Sequence, residues 1–404
     1  MNSWICCQLG AREHYAVPRA LLVSGMLGEF ITDLWIRPGT LLHTWKKRLT
    51  GRFHPGLAGA RIKAPNVAAL TFEFKASLAR ENGWKLISRR NEWFQQHAVG
   101  QLENGSTNGN HTVFAYSYAA EEIFKFAKDR GWRTILGQID PGPAEERIVA
   151  DIDKTSAIKH DHWEPAPVEY WKRWRNECAL ADQIVVNSEW SKEALLAEAI
   201  PAEKLRVIPV AYESSSDAGS LQRLYPRAFS AERPMRVLFL GQINLRKGVG
   251  QLLEAVELLS GENVEFWFVG PTQIHVPQNL KLHPQVRWFG VAPRVEVASY
   301  YRDADVFIFP TLSDGFGLTQ LEAQSWKLPV VASRNCGEVV SDGINGVILE
   351  EVSGQAIADA LMSLLRSPET LSGMSVRSAV DERFSLKTLA ESLKSIERGT
   401  DHLA

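Results

Sequence analysis

The chain is short of the residue patterns that mark metal-binding, P-loop and disulfide-bonded proteins. It has only four cysteines, and their spacing fits neither a zinc site nor a disulfide framework, so we expect reduced thiols. The adjacent pair Cys6 and Cys7 is expected to lie in a core. Neither Gly-x-x-x-x-Gly-Lys-Ser/Thr nor His-Glu-x-x-His occurs. These absences predict no structural or catalytic metal and no P-loop nucleotide site.

Charge of one sign and long apolar runs are lacking as well. The net charge of the 404 residues is −2, which argues against a nucleic-acid partner. No window of about 18 apolar residues exists, so no transmembrane helix is expected. The N-terminus lacks a basic stretch followed by an apolar one, so no secretion signal is expected. A cytoplasmic protein is predicted, and its 45% hydrophobic and 23% charged residues are typical of a soluble fold.

One segment, residues 43–63, carries an excess of positive charge with Trp45 and Phe53 interleaved. The simple interpretation is a solvated loop or helix face. The alternative is a surface that contacts anionic lipid at the inner face of the membrane, or an anionic acceptor. The cations are Lys46, Lys47, Arg48, Arg52, Arg61 and Lys63.

The C-terminal half alternates strand and helix patterns. Apolar strands are predicted at MRVLFLG, VEFWFVG, VRWFG, DVFIFP and PVVAS, with helices such as KGVGQLLEAVELL between them. This alternation is typical of a parallel sheet covered by helices on both faces. The N-terminal half gives a noisier α/β pattern, for example the strand QIVVNS before a helix that Ser188 opens. We therefore predict an α/β protein with two doubly wound, Rossmann-like domains facing a cleft.

A segment rich in Ser, Pro and charge separates the two halves and is predicted to be a linker. It covers residues 212–233, between an N-terminal domain at 1–211 and a C-terminal domain at 234–384. Ligands of open α/β sheets bind outside the carboxyl ends of the strands. The cleft should therefore lie where those ends of both sheets meet.

The sequence VFIFPTLSDGFGLTQLEAQ places two carboxylates on either side of a tight corner. A strand ends before Asp314, glycines flank Phe316, and a helix starts near Leu318, with Glu322 about one turn further on. The helix N-terminus offers N–H groups and a positive dipole to a phosphate. Glu322 could accept hydrogen bonds from a ribose and Asp314 from a second polyol, which is the layout of a nucleotide-sugar. The alternative is an N-cap aspartate and a surface glutamate.

The sequence LGQINLRKGVG places Arg246 and Lys247 at the start of a helix. Cations there oppose the helix dipole unless an anion also binds, so a phosphate contact is predicted. The alternative is a solvated basic turn. Gly270 and Gly290 each end a strand at the same sheet edge, where backbone could meet a flat base, although strand-ending glycines are common in α/β folds.

Together these motifs resemble the family-4 glycosyltransferases of the GT-B fold. The likeness rests on GQINLRKG, FVGP, the stretch from VRWFG to VVAS, and GEVVSDGINGVIL, covering about residues 234–380, and on ALADQIVVNSEWSKEALL in the N-terminal half. It implies retaining transfer of a sugar from a nucleotide-diphosphate sugar to an acceptor hydroxyl, with no metal and no other cofactor. A glycan or lipid-linked glycan acceptor and a role in cell-surface or secreted glycan biosynthesis are also implied. A helix at 385–398 is expected to pack back on the first domain.

The resemblance also implies roles for single residues. Lys247 would hold the diphosphate, Asp314 the hydroxyls of the donor sugar, and Glu322 the ribose. Gln242 stands where many members carry an arginine, and Arg246 is a candidate for the missing charge. The remaining contacts to the donor would come from Gly10, Gly270, Val291, Phe316, Gly317 and Leu318.

Two departures from the family concern the catalytic groups. Asp314 replaces the usual glutamate and is one methylene shorter. The histidine that many members carry at a strand end of the first domain is absent. Asp140 or Gln138 stands there instead, and Asp140 is included among the catalytic residues. The unranked alternatives for that role are His97, His111 and His160.

Functions of other kinds remain open. A nucleotide-sugar epimerase or a phosphorylase could use the same two-domain fold, although the first domain lacks the dense acid set expected of an epimerase. A non-catalytic paralogue that binds a nucleotide-sugar or scaffolds a complex is the alternative from another class. The departures at Asp314, Gln242 and Asp140 keep it open. Release of nucleotide diphosphate from the donor without acceptor would separate an enzyme from a scaffold.

Overall fold

Two parallel β-sheets organise the chain. The structure, a computed structural model, describes residues 3–39, 51–105, 109–161, 163–214, 218 and 221–398. Within each sheet neighbouring strands pair in parallel, and helices lie on both faces. Parallel neighbours need a crossover connection, which explains the alternation of strand and helix patterns in the sequence. The predicted α/β class with two Rossmann-like domains is confirmed.

The first sheet is built from the N-terminal half. Its strands are β1 (Ser3–Gln8), β2 (Leu27–Thr32), β3 (Ile62–Lys63), β4 (His111–Tyr116), β5 (Arg133–Gly137), β6 (Gln183–Val186) and β7 (Leu205–Val207). Its helices are α1 (Ala16–Val23), α2 (Asn66–Leu78), α3 (Gly83–Glu103), α4 (Glu121–Lys128), α5 (Pro143–Thr155), α6 (Val168–Leu180) and α7 (Glu189–Ala197). The strand order β3-β2-β1-β4-β5-β6-β7 reverses between β1 and β4, and that reversal is the switch point where such sheets bind ligands.

The second sheet is built from the C-terminal half. Its strands are β8 (Met235–Leu240), β9 (Val264–Val269), β10 (Val286–Gly290), β11 (Val306–Phe309), β12 (Val330–Ala332) and β13 (Gly346–Ile348). The helices that follow are α8 (Val249–Leu258), α9 (Gln278–Lys281), α10 (Arg294–Asp303), α11 (Leu318–Ser325), α12 (Gly354–Arg366), α13 (Pro368–Arg377) and α14 (Leu386–Arg398). The order β10-β9-β8-β11-β12-β13 reverses between β8 and β11.

Side chains alternate across each sheet and build two layers of core. In β1, Trp4 and Cys6 pack on the α1 side, whereas Ile5 and Cys7 pack on the side covered by α3 and α4. Both faces of a doubly wound sheet are buried, so the strand reads as a continuous apolar run. The four cysteines are buried thiols, as predicted for Cys6 and Cys7.

Helix α14 returns to the first domain. Leu389, Leu393 and Ile396 join the buried cluster that also contains Leu21 of α1 and Phe30 of β2. Among the residues described between Val207 and Met235, no helix or strand occurs. The chain therefore crosses between the sheets twice, once through this irregular segment and once on the way to α14.

The two domains also meet along the cleft. Residues 159–161 run antiparallel to 273–275, with the Asp161 N–H donating to the Gln273 carbonyl at 3.0 Å. Near the other strand ends, Ser188 Oγ donates to the Gly315 carbonyl at 2.6 Å. These contacts fix the carboxyl ends of the two sheets opposite each other.

Candidate active site

The predicted site residues follow the carboxyl ends of strands in both sheets, where the domains face each other. Each sits in the loop after its strand, and strand ends near a switch point form the usual ligand crevice. They are Gly10 after β1, Asp140 after β5, Gln242 after β8, Gly270 after β9, Val291 after β10 and Asp314 after β11.

Arg246 and Lys247 lie in a tight turn between β8 and α8. The turn is a single 3₁₀ element, Leu245–Lys247, and Asn244 Oδ1 accepts from the Lys247 N–H at 3.1 Å. Gly248 ends it with φ of +71°, and a Cβ there would lie 1.8 Å from the Pro310 carbonyl oxygen. Only glycine fits both restrictions, so the turn is fixed against the loop after β11.

The two cations converge on Asp314. The Lys247 ammonium pairs with its carboxylate, and one Arg246 nitrogen lies 3.8 Å from the other oxygen. Arg246 also donates to the Ser313 carbonyl at 2.8 Å, and the Lys247 nitrogen lies 5.0 Å from the centre of the Phe309 ring. The side chains of Lys247 and Asp314 are only 14% and 17% exposed, so this is a largely dry, charged corner.

Burial and charge act against each other in this corner. Burial lowers the pKa of Lys247, and Asp314 offsets part of that effect. Burial also disfavours ionised Asp314, but Lys247 and Arg246 hold its pKa below the usual value. The corner therefore contains a carboxylate with two cations beside it, and an anion that replaced the carboxylate would meet the same two cations.

The residues that pack around the Gly-Phe-Gly corner differ from the sequence expectation. Gly317, with φ of +85°, begins α11, and the Phe316 side chain packs edge-on against Phe384 at 5.7 Å in a buried cluster. A Cβ on Gly315 would lie 2.1 Å from the Ile139 carbonyl oxygen of the first domain. The close approach that Gly315 permits is thus to the other domain, and not to open cleft. Phe316 can therefore offer a ligand only its backbone.

Glu322 lies one turn into α11 and faces a cavity that we call the second cavity. Its Oε2 accepts a hydrogen bond of 2.7 Å from the hydroxyl of Tyr301, whose pKa is raised by burial and by Glu322. This cavity, of about 440 Å³, also borders Glu13 and His14 of the loop after β1. Glu13 and His14 have φ of 49° and 51°, an uncommon left-handed conformation for residues other than glycine.

The remaining predicted donor contacts have varied surroundings. The Gly10 N–H donates to Asp33 Oδ1 at 2.9 Å, while Gln242 and Val291 are exposed at the cleft edge. Gly270 is enclosed: its N–H donates to the Gly290 carbonyl at 2.7 Å, and a Cβ would lie 1.8 Å from the Gly241 carbonyl oxygen. Gly270 thus allows the strand ends to pack closely. The roles of Gly10, Gln242, Gly270 and Val291 in donor binding stay predictions.

Asp140 borders the first cavity, of about 490 Å³, which also includes Arg246 in its lining. It accepts from the Tyr118 hydroxyl, from Gln138 Nε2 at 3.1 Å and from the Gly142 N–H at 2.9 Å. Of the three candidate histidines, His160 lines this cavity. His97 bonds the Trp93 carbonyl within α3, and the ring of His111 packs on Trp132.

Glu145 is a site residue that the sequence reading missed. It lies in the first turn of α5 and reaches across the cleft, with Oε2 accepting from Arg246 at 3.2 Å and from Ser313 Oγ at 3.0 Å. Burial raises its pKa to about 7, Arg246 opposes the rise, and Asp140 and Asp314 add to it. The signal was present, because the first turn of a helix after β5 must lie at the carboxyl edge of the sheet.

The basic segment 43–63 is described only from residue 51 onward. Arg52 pairs with Asp33 at 3.0 Å, and Arg61 and Lys63 both pair with Glu29, at 3.1 and 3.0 Å. Lys46, Lys47 and Arg48 lie outside the described residues. In the described part of the chain, no helix is long and apolar enough to span a membrane, and no group of three or more potential metal ligands occurs.

Comparison with known proteins finds similarity mainly in the C-terminal half of the chain. Residues 234–367 match the family described as glycosyl transferases group 1. The chain is 29% identical over 239 residues to a D-inositol 3-phosphate glycosyltransferase of Corynebacterium kroppenstedtii, covering 54% of this chain and 53% of the relative. It is 26% identical over 185 residues to the amylovoran biosynthesis glycosyltransferase AmsK of Erwinia amylovora, covering 42% and 44%. The chain spans about half the length of the curated relatives it matches.

The similarity to solved structures extends over both domains. The Anabaena protein HepE, solved in complex with UDP, superposes with a TM-score of 0.62 at 14% identity, covering 99% of this chain and 100% of that one. At such low identity the likeness shows the fold alone. The two domains have the GT-B arrangement that the sequence predicted.

Proposed function

We propose that this protein is a retaining, metal-independent glycosyltransferase that moves a sugar from a nucleotide-diphosphate sugar to an acceptor hydroxyl. The observation that carries the proposal is the buried corner where Lys247 and Arg246 meet Asp314 beside the start of α11. A diphosphate is the ligand whose charge suits two cations and a helix N-terminus together.

The chemistry of transfer suits these residue types. Cleavage of the sugar–phosphate bond builds negative charge on the departing diphosphate, which Lys247 and Arg246 would stabilise in a site already organised by the fold. Asp314 would accept hydrogen bonds from hydroxyls of the donor sugar, and Glu322 from the ribose. Retention of configuration would follow from attack on the face that the diphosphate leaves, with the departing phosphate accepting the proton of the acceptor hydroxyl.

The comparisons suggest where to look for substrates. HepE was solved with UDP, so UDP-sugars are the first donors to test. AmsK is named for the biosynthesis of amylovoran, and the role that we propose is cell-surface or secreted glycan assembly on the cytoplasmic side. The acceptor would be a glycan or lipid-linked glycan, bound by the first domain.

The test is the release of nucleotide diphosphate from UDP-, GDP- and ADP-sugars, measured with and without added glycan acceptors. We expect slow release without acceptor, since water can replace the acceptor hydroxyl, and no effect of EDTA. Lys247→Ala and Glu322→Ala should each abolish release and transfer while leaving the fold intact, as checked by circular dichroism. Wild-type turnover in either variant would overturn the site assignment, and activity lost in EDTA and restored by manganese would overturn metal independence.

A non-catalytic nucleotide-sugar-binding protein is the second candidate. The observation that favours it is that Asp314 itself already neutralises Lys247, while the cleft edge presents Gln242 in place of a cation. Such a protein would bind UDP-sugars in a thermal-shift assay and release no UDP from any of them. Release by the wild type but not by Lys247→Ala would exclude it.

Peripheral contact with the inner face of a membrane is a separate part of the proposal. It rests on the cations Lys46, Lys47 and Arg48, and on α2, which follows the basic segment and exposes Val67, Phe74 and Leu78. A basic stretch beside apolar side chains suits an anionic lipid surface. Co-sedimentation with vesicles of phosphatidylglycerol but not phosphatidylcholine would support it, and equal sedimentation of a variant with alanine at all three cations would contradict it.

A further inference from the structure

The first cavity has an aromatic wall assembled from separate parts of the first domain. The rings of Tyr118 and Tyr170 stack at 4.9 Å with an interplanar angle of 18°, and Trp84 lies 4.9 Å from Tyr170. Trp163 and Trp171 also line the cavity. Tyr118 lies in the loop after β4, and Trp84 lies at the start of α3. Trp163 precedes α6, and Tyr170 and Trp171 lie within it. The wall is therefore assembled only when the chain folds.

The wall is held by polar contacts. Tyr118 has φ of +75°, which is strained for a bulky residue, and its hydroxyl donates to Asp140. Trp171 Nε1 donates to Glu146 at 2.9 Å, and Trp84 Nε1 donates to the Glu164 carbonyl at 2.9 Å. Strain that the surroundings maintain is a feature of binding sites. The ring faces are therefore placed in advance of any ligand.

The described lining of this cavity is also rich in carboxyl groups. Asp140, Glu145, Glu146 and Asp161 line the cavity, together with Arg246, which pairs with Glu145 and with Asp314. Carboxylates accept hydrogen bonds from hydroxyl and ammonium groups and repel phosphate. Aromatic faces carry negative charge density and attract the C–H bonds of a flat apolar ring face. A pyranose offers both a C–H face and hydroxyls.

The cavity also adjoins the corner proposed for the donor. Arg246 lines it and lies 3.8 Å from Asp314, so one side chain borders both places. Asn244, which fixes the Lys247 backbone, lines it as well and donates to Gln273 Oε1 at 3.0 Å. A sugar on the aromatic wall would therefore be next to the donor.

We propose that the first cavity binds the acceptor as a pyranose ring without phosphate, a neutral or amino sugar, lying against the aromatic wall and hydrogen-bonded by Asp140. The role of this sugar as an acceptor rests on the proposed transferase function, whereas the binding of a pyranose in this cavity does not. The proposal predicts that the acceptor glycan receives the new sugar on a residue without phosphate.

Saturation-transfer difference NMR on the full chain tests it, with methyl β-D-glucopyranoside, glucosamine and glucose 6-phosphate as probes. We expect signals from the ring C–H protons of the first two sugars, and binding of glucose 6-phosphate weaker by roughly tenfold or more. Tyr170→Ala should weaken binding of both pyranosides by roughly tenfold, whereas Tyr170→Phe, which keeps the ring, should not. Trp84→Ala serves as a second variant if Tyr170→Ala does not fold, and Phe74→Ala removes an exposed ring outside the cavity as a control.

Equal or tighter binding of glucose 6-phosphate, or unchanged binding in the alanine variants, would overturn the proposal. UDP release from UDP-glucose, measured on the same samples without acceptor, separates this outcome from failure of the proposed function. Release with no pyranoside binding would refute the acceptor site alone. Pyranoside binding with no release from any nucleotide-sugar would leave the sugar site standing and refute the transferase.

Discussion

At the scale of single residues, Lys247 is shared between a carboxylate of the chain and the diphosphate proposed to bind it. Asp314 lies against the ammonium group, and both side chains are mostly removed from water. An anionic ligand must compete with that carboxylate, because the pair is stronger in a dry corner than it would be in water. Asp314 therefore has two opposing effects: it is proposed to hold the donor sugar, and it weakens the hold on the diphosphate.

Replacing Asp314 by Asn separates these two effects. We expect Asp314→Asn to bind UDP more tightly, by up to roughly tenfold, because a repelling charge and a competitor for Lys247 are both removed. Transfer from a UDP-sugar should nevertheless fall. Titration calorimetry with UDP measures the first effect. Asp305→Asn is the control, since it breaks the 2.6 Å pair between the buried Asp305 carboxylate and the partly exposed Arg233, away from the cleft. Weaker UDP binding in Asp314→Asn would contradict the competition.

Glu145 gives the domain contact a dependence on pH. Its pKa is raised to about 7, so the folded chain holds this proton more tightly than the unfolded chain does. Between about pH 4.5 and 7 the folded state thus binds more protons at this site, and stability from this group falls as pH rises. Arg246 limits the effect, whereas Asp140 and Asp314 enlarge it.

Glu145→Gln should remove this contribution. We expect the unfolding temperature of the wild type to fall relative to that of Glu145→Gln between pH 5 and 8, since only the wild type must ionise a buried carboxyl. Differential scanning fluorimetry across that range measures the difference. Using the difference between the two proteins cancels other buried acids, such as Glu177, whose pKa burial raises to about 8. If the unfolding temperatures of the two proteins changed in parallel with pH, the pKa of Glu145 would not be raised in the folded chain.

At the scale of elements, the turn before α8 is the part that places both cations. Gly248 meets the loop after β11 at a point where a Cβ would be 1.8 Å from the Pro310 carbonyl oxygen. Gly343 has almost the same φ, +69° against +71°, but nothing lies within 4 Å of the corresponding Cβ position. The two glycines therefore share the backbone requirement and differ in the steric one.

Alanine at these two positions isolates the steric requirement. Gly343→Ala should cost about 1–2 kcal/mol of unfolding free energy, the ordinary penalty of a left-handed conformation. Gly248→Ala should cost clearly more and should also weaken UDP binding, because the turn that carries Lys247 must move. Urea denaturation and UDP titration of both variants measure these effects. Equal costs with equal UDP affinity would show that the turn is not held by Pro310.

The elements also show how far the sequence could predict the structure. Continuous apolar runs such as MRVLFL and VFIF identified β8 and β11, because a strand buried on both faces leaves no other pattern. The strands β2 and β3 and the helices α2 and α3 gave no clear pattern. The site was predictable where motif and strand end coincide, as at Lys247 and Asp314. The contacts of Glu145, and the stacking of Trp84 on Tyr170, were not, because they join segments far apart in the chain.

At the scale of the whole molecule, the closed cleft depends on a few contacts between the domains. Gly315 lets the loop after β11 reach the Ile139 carbonyl, and Ser188 and Trp190 donate to Gly315 and to Ser313 Oγ at 2.6 and 3.2 Å. Closure of this kind excludes water from a reacting centre.

Gly315→Ala should open the molecule. Its Cβ would lie 2.1 Å from a backbone oxygen of the first domain, so the domains must separate locally. We expect a larger radius of gyration by small-angle X-ray scattering, and slower transfer with nearly unchanged UDP affinity. Gly373→Ala in α13 is the matched control, because the atoms nearest to its Cβ belong to the flexible end of Arg377. An unchanged radius with normal transfer would show that the loop adjusts on its own.

A crystal structure with UDP soaked into the cleft tests the central claim most directly. The account predicts that the pyrophosphate will contact the Lys247 ammonium in place of Asp314, beside the backbone of Phe316 and Leu318, with the ribose on Glu322. A Lys247–Asp314 pair that stays intact while UDP occupies another part of the protein would contradict it.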